Sequence, residues 1–235
     1  MTISPGDWIG PDGKPRDGAP LGMLLSAQAA SQPDALALAI NGQCYSFAQM
    51  DAAANRLARH LATRSVVAGS HVVLSMPNRV EMVQAVFALW KLGAVPCPVS
   101  WRLSEREFCA IVGLIAPCCV IGTAATPVVA ENFIDIDAGL PEGLSPAPLP
   151  PAISDPGKVL TSGGSTGQPK LIVDPIPAVW GRDKAVPYRP AGTTVLNAGP
   201  MYHTAPFNFC AVAMAEGSHI VSMTSFEPRE WLDLV

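Results

Sequence analysis

The sequence predicts an α/β fold of parallel sheets flanked by helices, and three observations predict it. Apolar runs of strand length alternate with stretches of helical period between residues 71 and 121. The connections between them are a few residues long. Parallel strands need crossovers, and helices are the usual ones.

In order, residues 1–20 are rich in Pro and Gly and are expected to form a flexible surface arm. Residues 21–138 are read as one α/β subdomain. Leu36-Ala37-Leu38-Ala39-Ile40 is a short strand, Asn41-Gly42 a tight hairpin turn and Cys44-Tyr45 its return. From Ser46 the period changes. Ser46 and Gln49 form a capping box, and Met50, Ala54, Leu57 and Leu61 recur at helical spacing, with Arg56, Arg59 and Arg64 off that stripe. Residues 71–76 are a strand, and Pro77-Asn78, with Glu81 in the reciprocal position, is expected to cap a second helix that runs through Trp90 and stops near Gly93. A second strand at 94–99, a third helix capped by Ser104 and Glu107 and running through Ile115, and a third strand at 118–121 follow.

Prolines 141, 146, 148, 150, 151 and 156 make 139–156 an extended connector, because proline donates no hydrogen bond to helix or sheet. The connector is expected to separate two structural units. Residues 157–235 are then the start of a second α/β subdomain: two strands around a glycine-rich run, a short helix around 179–184, a strand at 193–197, an apolar helix at 204–215, a strand at 219–223 and a helix start near Pro228.

The glycine-rich run is Thr161-Ser162-Gly163-Gly164-Ser165-Thr166-Gly167-Gln168-Pro169-Lys170. Three glycines let backbone N–H groups converge on one point and let an anion come close. The hydroxyls of Thr161, Ser162, Ser165 and Thr166 add donors, and Lys170 adds a mobile charge. Polyphosphate is the ligand these groups suit. A flexible Gly/Ser linker is the plain alternative, but a linker has no reason to end in Pro-Lys between the apolar runs Val159-Leu160 and Leu171-Ile172-Val173. A Walker loop is excluded, since Gln168-Pro169 separates Gly167 from Lys170 and Leu171 follows the lysine. The run is expected to join two strands.

Composition narrows the class further. The net charge of −4 and the lack of a basic cluster argue against nucleic acid as partner. Apolar residues make up 49% and charged ones only 14%, so some apolar surface is expected to face a partner, absent chain or a second copy in a homodimer. Residues 80–99, the longest apolar run, are interrupted by Glu81, Lys91, glycine and proline and do not make a membrane span. Residues 1–17 are polar rather than a secretory leader, so the six cysteines are read as buried thiols of a cytoplasmic protein; they show no metal-ligand spacing with the four histidines.

A second candidate stretch, Pro200-Met201-Tyr202-His203-Thr204-Ala205-Pro206-Phe207, lies between a strand and a helix, where α/β ligand sites commonly lie. His203 there suits a substrate carboxylate, with Tyr202 and Phe207 as apolar walls. His60, His71 and His219 have no partner at a useful spacing and are read as surface or core residues. No Ser/His/Asp set or carboxylate pair stands out.

The segment Ser162–Lys170 resembles the phosphate-loop signature of the adenylate-forming superfamily, which comprises acyl-CoA synthetases, luciferases and peptide-synthetase adenylation domains. Pro200-Met201-Tyr202-His203 is similar to that family's next motif, and Asn55-Arg56-Leu57-Ala58, Met76-Pro77-Asn78 and Lys91-Leu92-Gly93-Ala94-Val95-Pro96 fall in the family's order. The resemblance covers nearly all of the chain from Leu21 and implies the first half of an acyl-CoA-synthetase-like large N-terminal domain. It implies an ATP-dependent acid–CoA ligase: a carboxylate attacks the α-phosphate of Mg-ATP, and the acyl group then passes to coenzyme A. By resemblance, Thr161, Ser162, Gly163, Gly164, Ser165, Thr166, Gly167 and Lys170 hold the β and γ phosphates, Tyr202, His203 and Phe207 flank the acid, and no metal ligand is assigned.

Two departures matter. Leu171 follows Lys170 where many members have glycine. The Tyr-Gly-x-Thr-Glu segment, the ribose-binding aspartate, the hinge and the C-terminal domain with its adenylation lysine do not occur, so the chain is expected to be part of a larger enzyme and inactive alone. No carboxylate occurs between Asn197 and Ala215 to pair a substrate ammonium, which favours an apolar acid, whether fatty, alicyclic, aromatic or steroid-type. The competing readings are an amino-acid or aryl-acid adenylation domain loading a carrier protein, and a non-catalytic nucleotide-binding module.

Overall fold

Asn41 and Gly42 both take left-handed φ, 53° and 70°, the backbone that a two-residue hairpin requires. They join β1 (Leu36–Ile40) to β2 (Gln43–Ser46), which pair antiparallel. The computed structural model describes residues 4–11, 13–127, 132–162, 169–181 and 192–235.

Both expected capping boxes form. Ser46 Oγ accepts from the Gln49 amide, and the Gln49 side chain accepts from the Ser46 amide, so α2 (Phe47–Thr63) starts where two orphan donors are satisfied. Its stripe of Met50, Ala54, Leu57 and Leu61 is buried. Ser104 and Glu107 open α4 (Glu105–Ile115) in the same way. Between them, β3 (His71–Ser75), α3 (Val80–Leu92), β4 (Val95–Pro98) and β5 (Cys119–Gly122) follow in the expected alternation. Gly93 closes α3 with φ of 71°.

One cap departs from expectation. The residue before α3 is Arg79, with no side-chain cap, and its guanidinium pairs with Glu81 and Asp137. Asn78 instead turns inward and bonds a distant part of the chain. Two elements gave no sequence signal. β6 (Phe133–Asp135) is only three residues long. α1 (Leu21–Ser31) is apolar on every side and buried from Leu21 to Gln28, so it carries no stripe to detect.

Beyond the connector lie β7 (Val159–Ser162), β8 (Lys170–Val173), β9 (Thr194–Asn197), α5 (Thr204–Ala215), β10 (His219–Ser222) and α6 (Pro228–Leu234). The expected helix around 179–184 is not helical over its described part: Val179 bridges to Pro20, and residues 182–184 lie outside the described residues. The strands make a sheet ordered β2-β1-β10-β9, a sheet ordered β4-β3-β5-β6 and the hairpin β7-β8. β1, β10 and β9 run parallel, as do all four strands of the second sheet.

The first sheet crosses the expected boundary. β1 and β2 come from before the connector and β9 and β10 from after it, so residues 139–156 do not part the chain into two units in space. The connector itself contains no helix or strand and lies along α2, where Asn55 Nδ2 donates to the Pro146 carbonyl at 2.8 Å. Residues 1–20 are expected as a flexible surface arm, but their described part is tied down at several points. Trp8 and Ile9 pack on the core, Ala19 is fully buried, and the Leu21 amide donates to the Ala178 carbonyl. Partial burial of two large apolar side chains, with the buried Ala19, offsets the local preference of Pro and Gly for open chain.

The main core gathers α1, α2, α3 and α5 between the first sheet and one face of the second. A smaller one, containing Val73, Val95, Cys97, Phe108, Ile111 and Val120, lies on the other face of the second sheet under α4 and includes Val159 of β7. The hairpin is thereby moored to the α/β body through its base.

Candidate active site: the phosphate-loop hairpin and the helix behind it

The strand–loop–strand reading of the glycine-rich run holds for its described ends. β7 and β8 pair antiparallel, with Thr161 opposite Leu171 and Ser162 opposite Lys170. This pairing brings Ser162 and Lys170 to the same end of the hairpin. Thr161 and Ser162 are half-buried, whereas Lys170 is exposed, as suits a charge that reaches for a ligand. Gly163, Gly164, Ser165, Thr166 and Gly167 lie outside the described residues.

At the opposite end the hairpin is clamped. The Asp174 amide donates to the Lys158 carbonyl, and the Lys158 ammonium pairs with the Asp174 carboxylate. Lys158 Nζ also lies 5.7 Å from the centroid of the Phe207 ring, within reach of a cation–π attraction. Trp90 Nε1 donates to the Gly157 carbonyl at 2.8 Å, and its ring meets Phe207 edge-on at 5.8 Å. An aromatic pair of this kind contributes about 0.5–1.5 kcal/mol beyond its buried area. α3, the hairpin base and α5 are thus joined at one point.

The second stretch sits at the N-terminal end of α5. His203 is the residue before the helix, in extended backbone and without a side-chain cap; its amide donates to the Pro200 carbonyl and its carbonyl accepts from the Phe207 amide. The His203 ring is 4.7 Å from that of Tyr202 at 60°, and His203 is exposed while Tyr202 is half-buried. Phe207 turns the other way, into the core, and lines a cavity of about 350 Å³ with Trp90, Leu160, Ile172, Ile176 and Ala211. Tyr202 and His203 stand outside that cavity, so the three proposed acid neighbours do not share one wall. The cavity is apolar, and Lys158 and Asp174 at its edge satisfy one another.

The turn before His203 is held by a residue that the sequence suggested only as a helix cap. Asn78 Nδ2 donates to the carbonyls of Gly199 (2.9 Å) and Met223 (3.0 Å), and Asn78 Oδ1 accepts from the Met201 amide (2.8 Å). A Cβ on Gly199 would lie 2.5 Å from Cγ of Pro206, so the turn and the first turn of α5 touch with no room between them.

Other groups have no visible role in chemistry. Burial pushes the thiols of Cys97, Cys119 and Cys210 up to about 12, so none supplies a thiolate at neutral pH. Cys44 and Cys118 are exposed, against the expectation that all six thiols are buried. Among the described residues no cluster of His, Cys, Asp or Glu suits a metal ion, and no helix is long and apolar enough to cross a membrane.

Comparison with known proteins gives this geometry a family. A model described as AMP-binding enzyme matches residues 25–235, nearly the whole chain. The chain belongs to the AMP-binding enzyme family. Among this family's members, the long-chain-fatty-acid–CoA ligase FadD13 of Mycobacterium tuberculosis is 28% identical over 212 residues, covering 80% of this chain and 42% of the relative. The salicyl-AMP ligase/salicyl-S-ArCP synthetase of Mycobacterium tuberculosis is 32% identical over 187 residues, 66% of this chain and 33% of that one. In architecture, the N-terminal domain of FACL13 from Mycobacterium tuberculosis superposes with a TM-score of 0.78 at 24% identity, over 93% of this chain and 60% of that one. The chain therefore spans less than half the length of these curated relatives. The adenylate-forming family and its N-terminal-domain fold are both established by these matches.

Proposed function

We propose that this chain is the ATP-gripping part of an acid–CoA ligase acting on an apolar carboxylic acid. The observation that carries the reading is the β7-β8 hairpin: Ser162 and Lys170 meet at one end, and Lys158 at the other lies against Phe207 of α5, the helix that His203 opens. A polyphosphate gripped at the free end is then fixed relative to an acid at His203.

In the proposed reaction a carboxylate oxygen of the acid bonds to the α-phosphorus of ATP as the bond to pyrophosphate breaks, and a coenzyme A thiol then takes the acyl group with release of AMP. Such transfers are accelerated mainly by holding the phosphates and offsetting charge on the departing group. Thr161, Ser162 and Lys170 fit that need as hydroxyl donors and a cation, and Gly163, Gly164, Ser165, Thr166 and Gly167 are proposed to complete the cradle. Mg²⁺ would arrive with the triphosphate, offsetting its charge. Tyr202, His203 and Phe207 are proposed to serve the acid side, and the cavity beside Phe207 has a volume and lining that suit a hydrocarbon group. Residues 198–215 hold no carboxylate to pair an ammonium, which disfavours an amino-acid substrate.

Residues 1–235 alone are expected to show no ATP–pyrophosphate exchange with dodecanoate, benzoate or a steroid acid, and only weak heat of binding with Mg-ATP. Exchange above a no-protein blank would overturn the dependence on further chain. Tight binding of Mg-ATP by a compact monomer, with no exchange, would favour a non-catalytic nucleotide-binding module instead.

A further inference from the structure

Asn78 is buried, only 4% exposed, and all three of its side-chain bonds leave its own neighbourhood. It follows the end of β3, a strand of the second sheet. Its partners follow strands of the first sheet: Gly199 and Met201 lie beyond β9, and Met223 lies beyond β10. Both amide protons are used on main-chain carbonyls and the amide oxygen accepts from a main-chain amide, so no donor is left over for a substrate. A buried amide satisfied in this way has one orientation, since rotation would set its oxygen against two carbonyls.

We infer that Asn78 is the positioning residue of the acid side of the site: it ties the second sheet to the ends of β9 and β10 and so sets where His203 stands. The His203 amide bonds the Pro200 carbonyl, and Pro200 lies between Gly199 and Met201, both of which Asn78 holds. The turn is closed from the other side by Pro206, which leaves no space at Gly199. The turn thus has a hydrogen-bonded support on one side and a steric one on the other. An alternative role, capping α3, is not what the side chain does. The inference rests on the reading that His203 flanks the acid, but the strut itself does not depend on that reading.

The test separates the two. Asn78→Asp keeps the shape and the acceptor for Met201 but removes both donors. Ser46→Ala, which weakens the start of α2 far from the turn, serves as a control for general destabilisation. In the wild-type chain the two Asn78 Nδ2 protons are expected to exchange at least tenfold more slowly than those of exposed Gln43. Asn78→Asp is expected to shift the His203 ring resonances and to speed exchange of the Met201 amide several-fold beyond any change in Ser46→Ala. Asn78 protons that exchange as fast as those of Gln43 overturn the strut even if no variant folds, as do His203 resonances that move no more than in Ser46→Ala. For the acid reading, dodecanoic acid bearing a diazirine is expected to label residues 200–212 of the wild type, and about threefold less in Asn78→Asp. Labelling of the wild type confined to residues outside both 200–212 and the cavity walls at Trp90, Leu160, Ile172 and Ile176 overturns the acid reading, and the exchange data still decide the strut.

Discussion

Lys91 is fully buried, and its ammonium is placed 2.7 Å from Asp51 Oδ1 and 2.5 Å from Ser26 Oγ. Burial lowers the Lys91 pKa, while Asp51 opposes that shift. Asn55 Nδ2 completes the shell of Asp51 at 2.9 Å, so α1, α2 and α3 share one polar knot inside an apolar core. Removing one partner of such a pair is costly because it strands the other charge. Two histidines are also shifted, His219 and His60. Burial holds His219 below its ordinary value of 6.5, and its Nε2 is buried without a partner among the described residues. Burial, and then the Arg64 charge, act on His60 in the same direction. A lowered folded-state pKa means that the unfolded chain binds the proton more readily, so stability is full above the ordinary value and is lost as pH falls through it. Urea unfolding from about pH 7.5 to about pH 5 is therefore expected to show falling stability, with a shallower decline in His219→Gln and shallower still with His60→Gln added. A decline unchanged in the double variant would assign it to other groups.

At the scale of elements, legibility in the sequence followed how local the cause is. The boxes at Ser46/Gln49 and Ser104/Glu107 could be read because both partners lie within one turn. Asn78 could not, since its partners lie more than a hundred residues away and a helix cap was the nearer explanation. α1 was illegible for another reason: a helix surrounded by α2, α3 and α5 needs no polar face. Its fit can be tested at Gly22, where an added Cβ would lie 2.7 Å from the Lys91 amide nitrogen and 2.8 Å from the Trp90 carbonyl carbon. Alanine gains about 1 kcal/mol in helix propensity over glycine. Here main chain blocks the methyl, and overpacking of about 1–3 kcal/mol outweighs that gain. Gly22→Ala is expected to lower the urea midpoint, and a midpoint at or above the wild-type value would show that α1 and α3 are free to move apart.

Across the whole molecule, strand order was the part that periodicity does not carry. A run such as Val195-Leu196 specifies a strand but not its neighbour, and the closure of β1 onto β10 depends on burial that only the assembled chain provides. The same applies to the two directions taken by Phe207 and His203 at the start of α5, which a motif read as a line of residues does not separate. The apolar excess of the composition, by contrast, has a visible counterpart on the surface. Ile172, Val173 and Ile176 are 49%, 55% and 42% exposed on and just after β8, a strand whose only described partner is β7. A two-stranded hairpin is marginal in water, and this one is held at its base while these side chains, which also line the cavity beside Phe207, stay partly open to solvent. Contiguous apolar surface of this kind marks a contact yet to be made. An environment-sensitive naphthalene sulfonate dye is therefore expected to bind the folded chain, and Val173→Lys with Ile176→Lys to cut its fluorescence at least by half. Because both positions are exposed, the melting temperature of that variant is expected to stay within about 4 °C of wild type. Equal dye fluorescence in the variant at equal stability would place the open apolar surface elsewhere than on this hairpin.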